Sequence, residues 1–213
     1  MSQILVFGAS TTQGLWDLNG GWPQRLRAYI DELYLKGRLP KIYTFNLGIS
    51  GDSSQEVLER FESETKRRLR HPKTLFIFSF GSNDSQYISG NKQTRRSPKD
   101  FKKNITKLIR LAKKYSNLII FVGLSPVDES KTNPIPWEPT LSYKNDLIKK
   151  YSDIMKELCR KENISFVEIF DEWKKMDYLK LLHDGLHPNS EGHKKIFEKL
   201  RDFLIVKHII NSL

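Results

Sequence analysis

Apolar positions along this chain follow two alternating rhythms. Short runs of branched and aromatic residues occupy positions 4–7, 42–47, 74–80, 118–123 and 164–170. Runs this short, with no polar residue at every second place, are what strands buried on both faces show. Between them the apolar residues recur at helical spacing. Leu26, Ile30, Leu33 and Tyr34 share one face, as do Val57, Leu58, Phe61 and Thr65. Leu147, Ile148, Tyr151, Ile154, Met155 and Leu158 form a third stripe, and Ile196, Phe197, Leu200, Phe203 and Leu204 a fourth. Ser97-Pro98-Lys99-Asp100 reads as a capped helix start with proline in the first turn. Five strand–helix units in series predict an α/β fold, a parallel sheet covered by helices on both faces, with right-handed crossovers. Ligands of such sheets bind beyond the carboxyl ends of the strands, so those positions are where chemistry is sought. The longest irregular stretch, 125–139, holds Pro126, Pro134, Pro136 and Pro139; a loop of that length in a compact domain is often functional.

A length of 213 residues suits one α/β domain, and a single domain over 1–213 is expected. Apolar residues are 38% and charged residues 29% of the chain, the balance of a soluble globular protein. No run approaches the roughly 18 apolar residues of a membrane helix, so no membrane insertion is expected. The first ten residues carry an apolar run but neither a basic leader nor a small-residue cleavage site, and they read as a first strand, not a signal peptide. Cys159 is the only cysteine; it lies on the third stripe and reads as core packing. A lone cysteine forms no internal disulfide, so a reducing compartment and a cytoplasmic location are expected. The net charge of +11 raises the question of nucleic acid. Yet Lys102, Lys103, Lys107 and Lys114 lie off the apolar stripe of Phe101, Ile105, Leu108 and Ala112. That is the solvated face of an amphipathic helix, and no nucleic-acid partner is expected.

The residues that follow each strand carry the chemistry. After the first comes Gly8-Ala9-Ser10-Thr11-Thr12-Gln13-Gly14. A serine on a strand-to-helix turn presents its hydroxyl above the sheet, with its own amide at the start of the next helix. Ser10 with Gln13 also has the spacing of a helix capping box. After the second strand, Gly48 offers either an unobstructed N–H or an ordinary turn. Ser53 with Glu56 there reads as a capping box, which makes Gly51-Asp52-Ser53 a decoy for a nucleophile motif. After the third strand, Asn83 places either a side-chain amide toward a developing oxyanion or an Asn-Asp turn.

Near the end of the chain stands His183-Asp184-Gly185-Leu186-His187-Pro188. An aspartate three residues before a histidine, on a turn, can hold one imidazole nitrogen and leave the other free to take a serine proton. A zinc reading of His183 with His187 needs a helix, which Gly185 and Pro188 oppose. No metal is expected. His193, in the following helix, reads as a surface or supporting residue.

The four blocks together resemble those of the SGNH hydrolases, also called GDSL-like lipases and esterases. The likeness rests on residues 8–14, on Asn46-Leu47-Gly48-Ile49-Ser50-Gly51, on Gly81-Ser82-Asn83-Asp84, and on Asp184-Gly185-Leu186-His187-Pro188 with Gly192. Each is weak alone, but in order at successive strand ends they make a strong joint signal. The resemblance implies a flavodoxin-like three-layer α/β/α sandwich with five parallel strands. It implies Ser10 as nucleophile, His187 as base, Asp184 as its orienter, and an oxyanion hole of the Ser10 and Gly48 amides with the Asn83 side chain. It further implies ester hydrolysis through an acyl-enzyme, with no cofactor and a small-molecule ester as partner. Nothing in the sequence resembles a long lipid-binding lid, so small or short-acyl esters, including acetylated sugars, are expected over triglyceride. The family's usual Gly-Asp-Ser is Gly-Ala-Ser here, which removes a hydrogen-bonding acid at Ala9. A binding protein that has lost catalysis and an acyltransferase with the same triad are the alternatives. Trp16 and Trp137 are candidate pocket walls, Trp22 is expected to pack inside the first long helix, and the 125–139 loop is expected to shape the acyl or alcohol side.

Overall fold

The computed structural model describes residues 1–213. The strands are β1 (Ser2–Gly8), β2 (Ile42–Gly48), β3 (Lys73–Ser79), β4 (Tyr87–Ile88), β5 (Gln93–Thr94), β6 (Leu118–Val122), β7 (Leu141–Ser142) and β8 (Ser165–Val167). The helices are α1 (Ser10–Gln13), α2 (Gly21–Leu35), α3 (Ser54–Arg68), α4 (Ser82–Ser85), α5 (Pro98–Ala112), α6 (Glu129–Thr132), α7 (Asn145–Lys161), α8 (Phe170–Trp173), α9 (Ser190–Val206) and α10 (Ile209–Ser212). Five strands form one sheet in the order β2-β1-β3-β6-β8, and every neighbour pair in it is parallel. This is the doubly wound order that reverses beside β1. β4, β5 and β7 make a small antiparallel sheet of their own. No helix is long and apolar enough to cross a membrane.

The sheet divides the apolar residues by strand pleat. Leu5 and Phe7 of β1 join Phe76 and Phe78 of β3 and Phe121 of β6 on the face covered by α3, α5 and α7. Ile4 and Val6, with Leu75, Ile77 and Ile120, face α2 and α9 on the other side. β1 is buried along its whole length, which explains why its sequence does not alternate. On the first face aromatic rings fill the layer, with Phe61 5.3 Å from Phe76 and Phe78 5.0 Å from Phe121. Trp22 is fully buried in the opposite core, and Cys159 is buried on the inner face of α7 in the first.

The helix starts follow the local chemistry. Ser53 and Glu56 form the reciprocal capping box of α3. The Asp100 N–H donates to Ser97 Oγ at 3.1 Å at the head of α5, where Pro98 needs no N–H partner. Lys102, Lys103, Lys107 and Lys114 are exposed as the stripe required. Two boundaries depart from the apolar pattern. The run at 164–170 leaves the sheet after Val167, because Ile169 and Phe170 bury themselves from the turn into α8, one in each core. Phe80 likewise falls outside β3. The 125–139 stretch is not wholly irregular, since it contains α6.

What the fold contributes to function is a level edge. Gly8 pairs with Gly48 on one side and Ser79 on the other, so β1, β2 and β3 end together. The backbone there is tightly packed. A Cβ on Gly8 would overlap both Thr12 Oγ1 and the Ser79 carbonyl, and the carbonyl is part of the sheet and has nowhere to go. Gly8→Ala is expected to lower stability by about 1–3 kcal/mol, the usual penalty of overpacking, in urea unfolding. A loss under about 0.5 kcal/mol would show that the turn yields freely.

Candidate functional site

Immediately after β1 the chain turns at Ala9 and enters α1 with Ser10 as its first residue. The helix begins at the Gln13 N–H, which donates to Ala9 O at 2.8 Å, so the earlier amides have no helical acceptor. The capping box open to Ser10 and Gln13 does not form. No side chain caps α1, and Gln13 Oε1 instead accepts the Ser50 N–H at 2.9 Å. Thr12 Oγ1 donates to Ser79 O at 3.0 Å, and Arg60 Nη2 to Gly8 O at 3.1 Å. Arg60 is itself paired with Asp52 at 2.7 Å in a largely buried bridge. These contacts hold the turn without the acid that Ala9 lacks.

Ser10 is nearly buried, and its Oγ lies 3.0 Å from His187 Nε2 across 177 residues of sequence. His187 Nδ1 lies 2.7 Å from Asp184 Oδ2. Asp184 Oδ1 accepts the Leu186 and His187 N–H groups at 2.9 and 2.8 Å, a local turn that Gly185 permits at φ 90°. Burial alone would raise the Asp184 carboxyl. The His187 ring and the two backbone donors outweigh it and hold the group well below the usual carboxylate range. Asp184 is therefore ionised, and its bond to Nδ1 fixes the tautomer with Nε2 free to accept from Ser10. His183 does not join His187 at a common point. Its ring stacks on Trp16, with centroids 5.0 Å apart.

Asn83 stands in α4 and shares a cleft with Ser10 and His187. Gln86 Nε2 donates to the Tyr143 hydroxyl, which must spend its proton on Asn83 Oδ1, both at 2.9 Å. That leaves Asn83 Nδ2 to donate to Asp52 O at 2.9 Å, with its second N–H free. The neighbouring Asp84 is wholly buried, and burial pushes its carboxyl up to about 6. It accepts the Ser54 N–H and hydroxyl, tying α4 to the head of α3. The cleft has a volume of about 40 Å³, with Phe80, Val122, Leu124, Leu186 and Ile196 as apolar lining.

Three expectations need correction. Gly48 is not a free donor: its N–H donates to Asn46 Oδ1 at 3.0 Å, and its missing Cβ makes room for the Thr12–Gln13 backbone. Neither Trp16 nor Trp137 lines the cleft. Trp137 is exposed on its loop, while Trp16 donates from Nε1 to Asp184 Oδ2 at 3.0 Å. Of the two readings of His193, surface or supporting, only the surface one fails: the residue is fully buried. Its Nδ1 accepts the Trp22 N–H at 3.3 Å, so Nε2 carries the proton and donates to Leu15 O at 2.9 Å. Its spacing to Ile196 and Leu200 put it on the buried stripe, which was the available signal. Tyr143, Arg60 and Gln13 carried no comparable mark in the sequence.

A serine hydroxyl, an imidazole and an ionised carboxylate in series, beside a free amide N–H, can activate an oxygen nucleophile and receive negative charge. The model of the GDSL-like lipase/acylhydrolase family matches residues 6–195. The chain belongs to that family, and it is a carboxylic ester hydrolase of the SGNH or GDSL type. A GDSL esterase/lipase of Arabidopsis thaliana, CPRD49, is 30% identical over 199 residues, 90% of this chain and 74% of that one. Among solved structures, a lipase/acylhydrolase from Enterococcus faecalis superposes with a TM-score of 0.74 at 19% identity, over 96% of this chain and 95% of that one. A catalytic mutant of Axe2, an acetylxylan esterase from Geobacillus stearothermophilus, gives 0.71 at 16% identity, over 95% and 92%. At such identities the two structures show the shared GDSL-family fold.

Burial lowers the His193 pKa from its ordinary value of 6.5, since the charged ring would lose water and one acceptor. The stabilisation it lends is present above 6.5 and is lost as the pH falls through the lowered midpoint. In an NMR titration the His193 ring is expected to stay neutral at pH 6.5, protonated at Nε2. A midpoint at or above 6.5 would contradict this placement.

Proposed function

We propose that this chain hydrolyses short-acyl esters through an acyl-enzyme on Ser10, with His187 as base and Asp184 as its orienter. The observation that carries the reading is the unbroken line from Ser10 Oγ to His187 Nε2 and from Nδ1 to Asp184, at 3.0 and 2.7 Å. His187 takes the Ser10 proton as Oγ attacks the ester carbonyl, then gives it to the leaving alcohol; water repeats the cycle and frees the acid. The developing oxyanion meets the Ser10 N–H and the free N–H of Asn83. In place of Gly48, the third donor is the Gly51 N–H. It has no partner within the chain, and it sits on the turn that Asn83 Nδ2 grips through Asp52 O.

Cleft size supports a small acyl group. The cleft beside Ser10 has a volume of only about 40 Å³, in keeping with an acyl group of a few heavy atoms. The apolar lining of Leu124, Val122 and Ile196 suits its methyl. The acetylxylan esterase among the structural neighbours is in keeping with that size.

Turnover of p-nitrophenyl acetate, butyrate and octanoate by the wild type and Ser10→Ala tests both parts. Acetate is expected to be the best substrate and Ser10→Ala inactive though folded. Undiminished turnover by Ser10→Ala would refute the mechanism, and a preference for octanoate the acyl size. Asn83→Ala should lower kcat by about 10²–10³-fold, as loss of one oxyanion donor does; a change under threefold would remove Asn83 from that role. Tyr143→Phe leaves Asn83 Oδ1 buried without its donor and the amide free to turn. It should cost about tenfold in kcat with KM little changed. Wild-type kcat would mean that Asp52 O alone orients the amide.

A further inference from the structure

Trp16 is an unusual residue to find beside this site. Its indole is half exposed, at 52%, so burial of apolar surface does not account for its position. Its backbone lies in the left-handed region at φ 65°, a costly conformation for a bulky side chain that persists only where the surroundings enforce it. Those surroundings are plain. Just before it, Leu15 is tied to Ser10 O through its N–H at 3.2 Å and to His193 Nε2 through its carbonyl. Just after it, the Asp17 carboxylate accepts Arg25 Nε at 2.8 Å, the Gly21 N–H at 3.1 Å and the Ser190 hydroxyl at 2.8 Å. Residue 16 is thus clamped from both sides by buried polar groups.

The clamp delivers one contact. Trp16 Nε1 donates at 3.0 Å to Asp184 Oδ2, the same oxygen that faces His187 Nδ1. The ring is steadied against His183 at an interplanar angle of 28°. Without the indole, Oδ2 would have His187 as its sole donor, and the carboxylate could turn about the two backbone bonds to Oδ1.

We propose that Trp16 is a positioning residue of the triad, its indole N–H fixing the Asp184 carboxylate and through it the orientation and basicity of the His187 ring. This rests on the reading of Ser10, His187 and Asp184 given above. An N–H at Oδ2 shares that oxygen's negative charge with the imidazole. Removing it concentrates the charge on His187 and favours the imidazolium.

The test is Trp16→Phe, which keeps an aromatic ring to face His183 and removes the N–H together with the five-membered ring that carries it. The His187 midpoint, read by NMR with His187→Gln to assign the resonance, is expected to rise by about half a unit. The acid limb of kcat/KM should move with it, and kcat/KM near neutral pH should fall about five- to tenfold with KM held. An unchanged His187 midpoint overturns the proposal even if turnover slows. Should the variant not fold, the wild-type indole decides: a Trp16 Nε1–H protected from solvent exchange supports the bond, and one exchanging like a free indole refutes it. Both readouts need no turnover. An active Ser10→Ala would therefore sink the serine mechanism and leave the Trp16–Asp184–His187 coupling to stand or fall by its own measurement.

Discussion

The level register of β1 with its two neighbours is the constraint on which the rest of the molecule depends. Gly8 pairs with both Gly48 and Ser79, so three strand ends open on one edge. Everything proposed for the chemistry then lies within a few residues of that edge: Ser10 two positions past β1, the 50–52 turn past β2, Asn83 past β3. Asp184 and His187 come from far along the chain, and they return on the turn that leads into α9. Small residues make this possible. Gly8 and Gly48 let α1 and the strand ends press backbone against backbone, and no larger side chain would fit at either.

Buried polar groups then hold the turns that the sheet merely brings together. Arg60 and Asp52 brace Gly8, Asp84 ties α4 to Ser54, and Asp17 with His193 pins the segment between α1 and α2, while the exposed Gln13 ties α1 to Ser50. Asp17, Asp84 and His193 each find more than one partner, as buried polar groups must. The substitution of Ala9 for the family's usual acid reads differently in this light. The turn's support is spread over Thr12, Arg60 and Gln13, and the first amides of α1 are left without a side-chain cap, open toward the space where an oxyanion would form.

The order of strands and helices was legible because buried strands and amphipathic helices write distinct periods into a sequence. Ser10, Asn83, Asp184 and His187 were legible because the strand-end rule says where to look, and the structure brings Ser10, His187 and Asp184 within hydrogen-bond reach. Gly48 misled because a sequence shows which amides exist, not which are already spent; Asn46, two residues away, had taken that one. Trp16 stands beside Asp184 and does not line the cleft, since a left-handed residue turns its side chain where no periodicity predicts. The end of the fifth strand was hidden because Ile169 and Phe170 bury themselves as well from a helical turn as from a strand.

The central claim is that Ser10 is the group His187 activates, and labelling tests it most directly. The wild type and His187→Ala would be treated with a fluorophosphonate, and the adduct mapped by mass spectrometry of peptides. The account predicts a single phosphonylated residue, Ser10, in the wild type and no more than trace labelling in His187→Ala. Labelling at another residue, or of Ser10 at the same rate in both proteins, would contradict it.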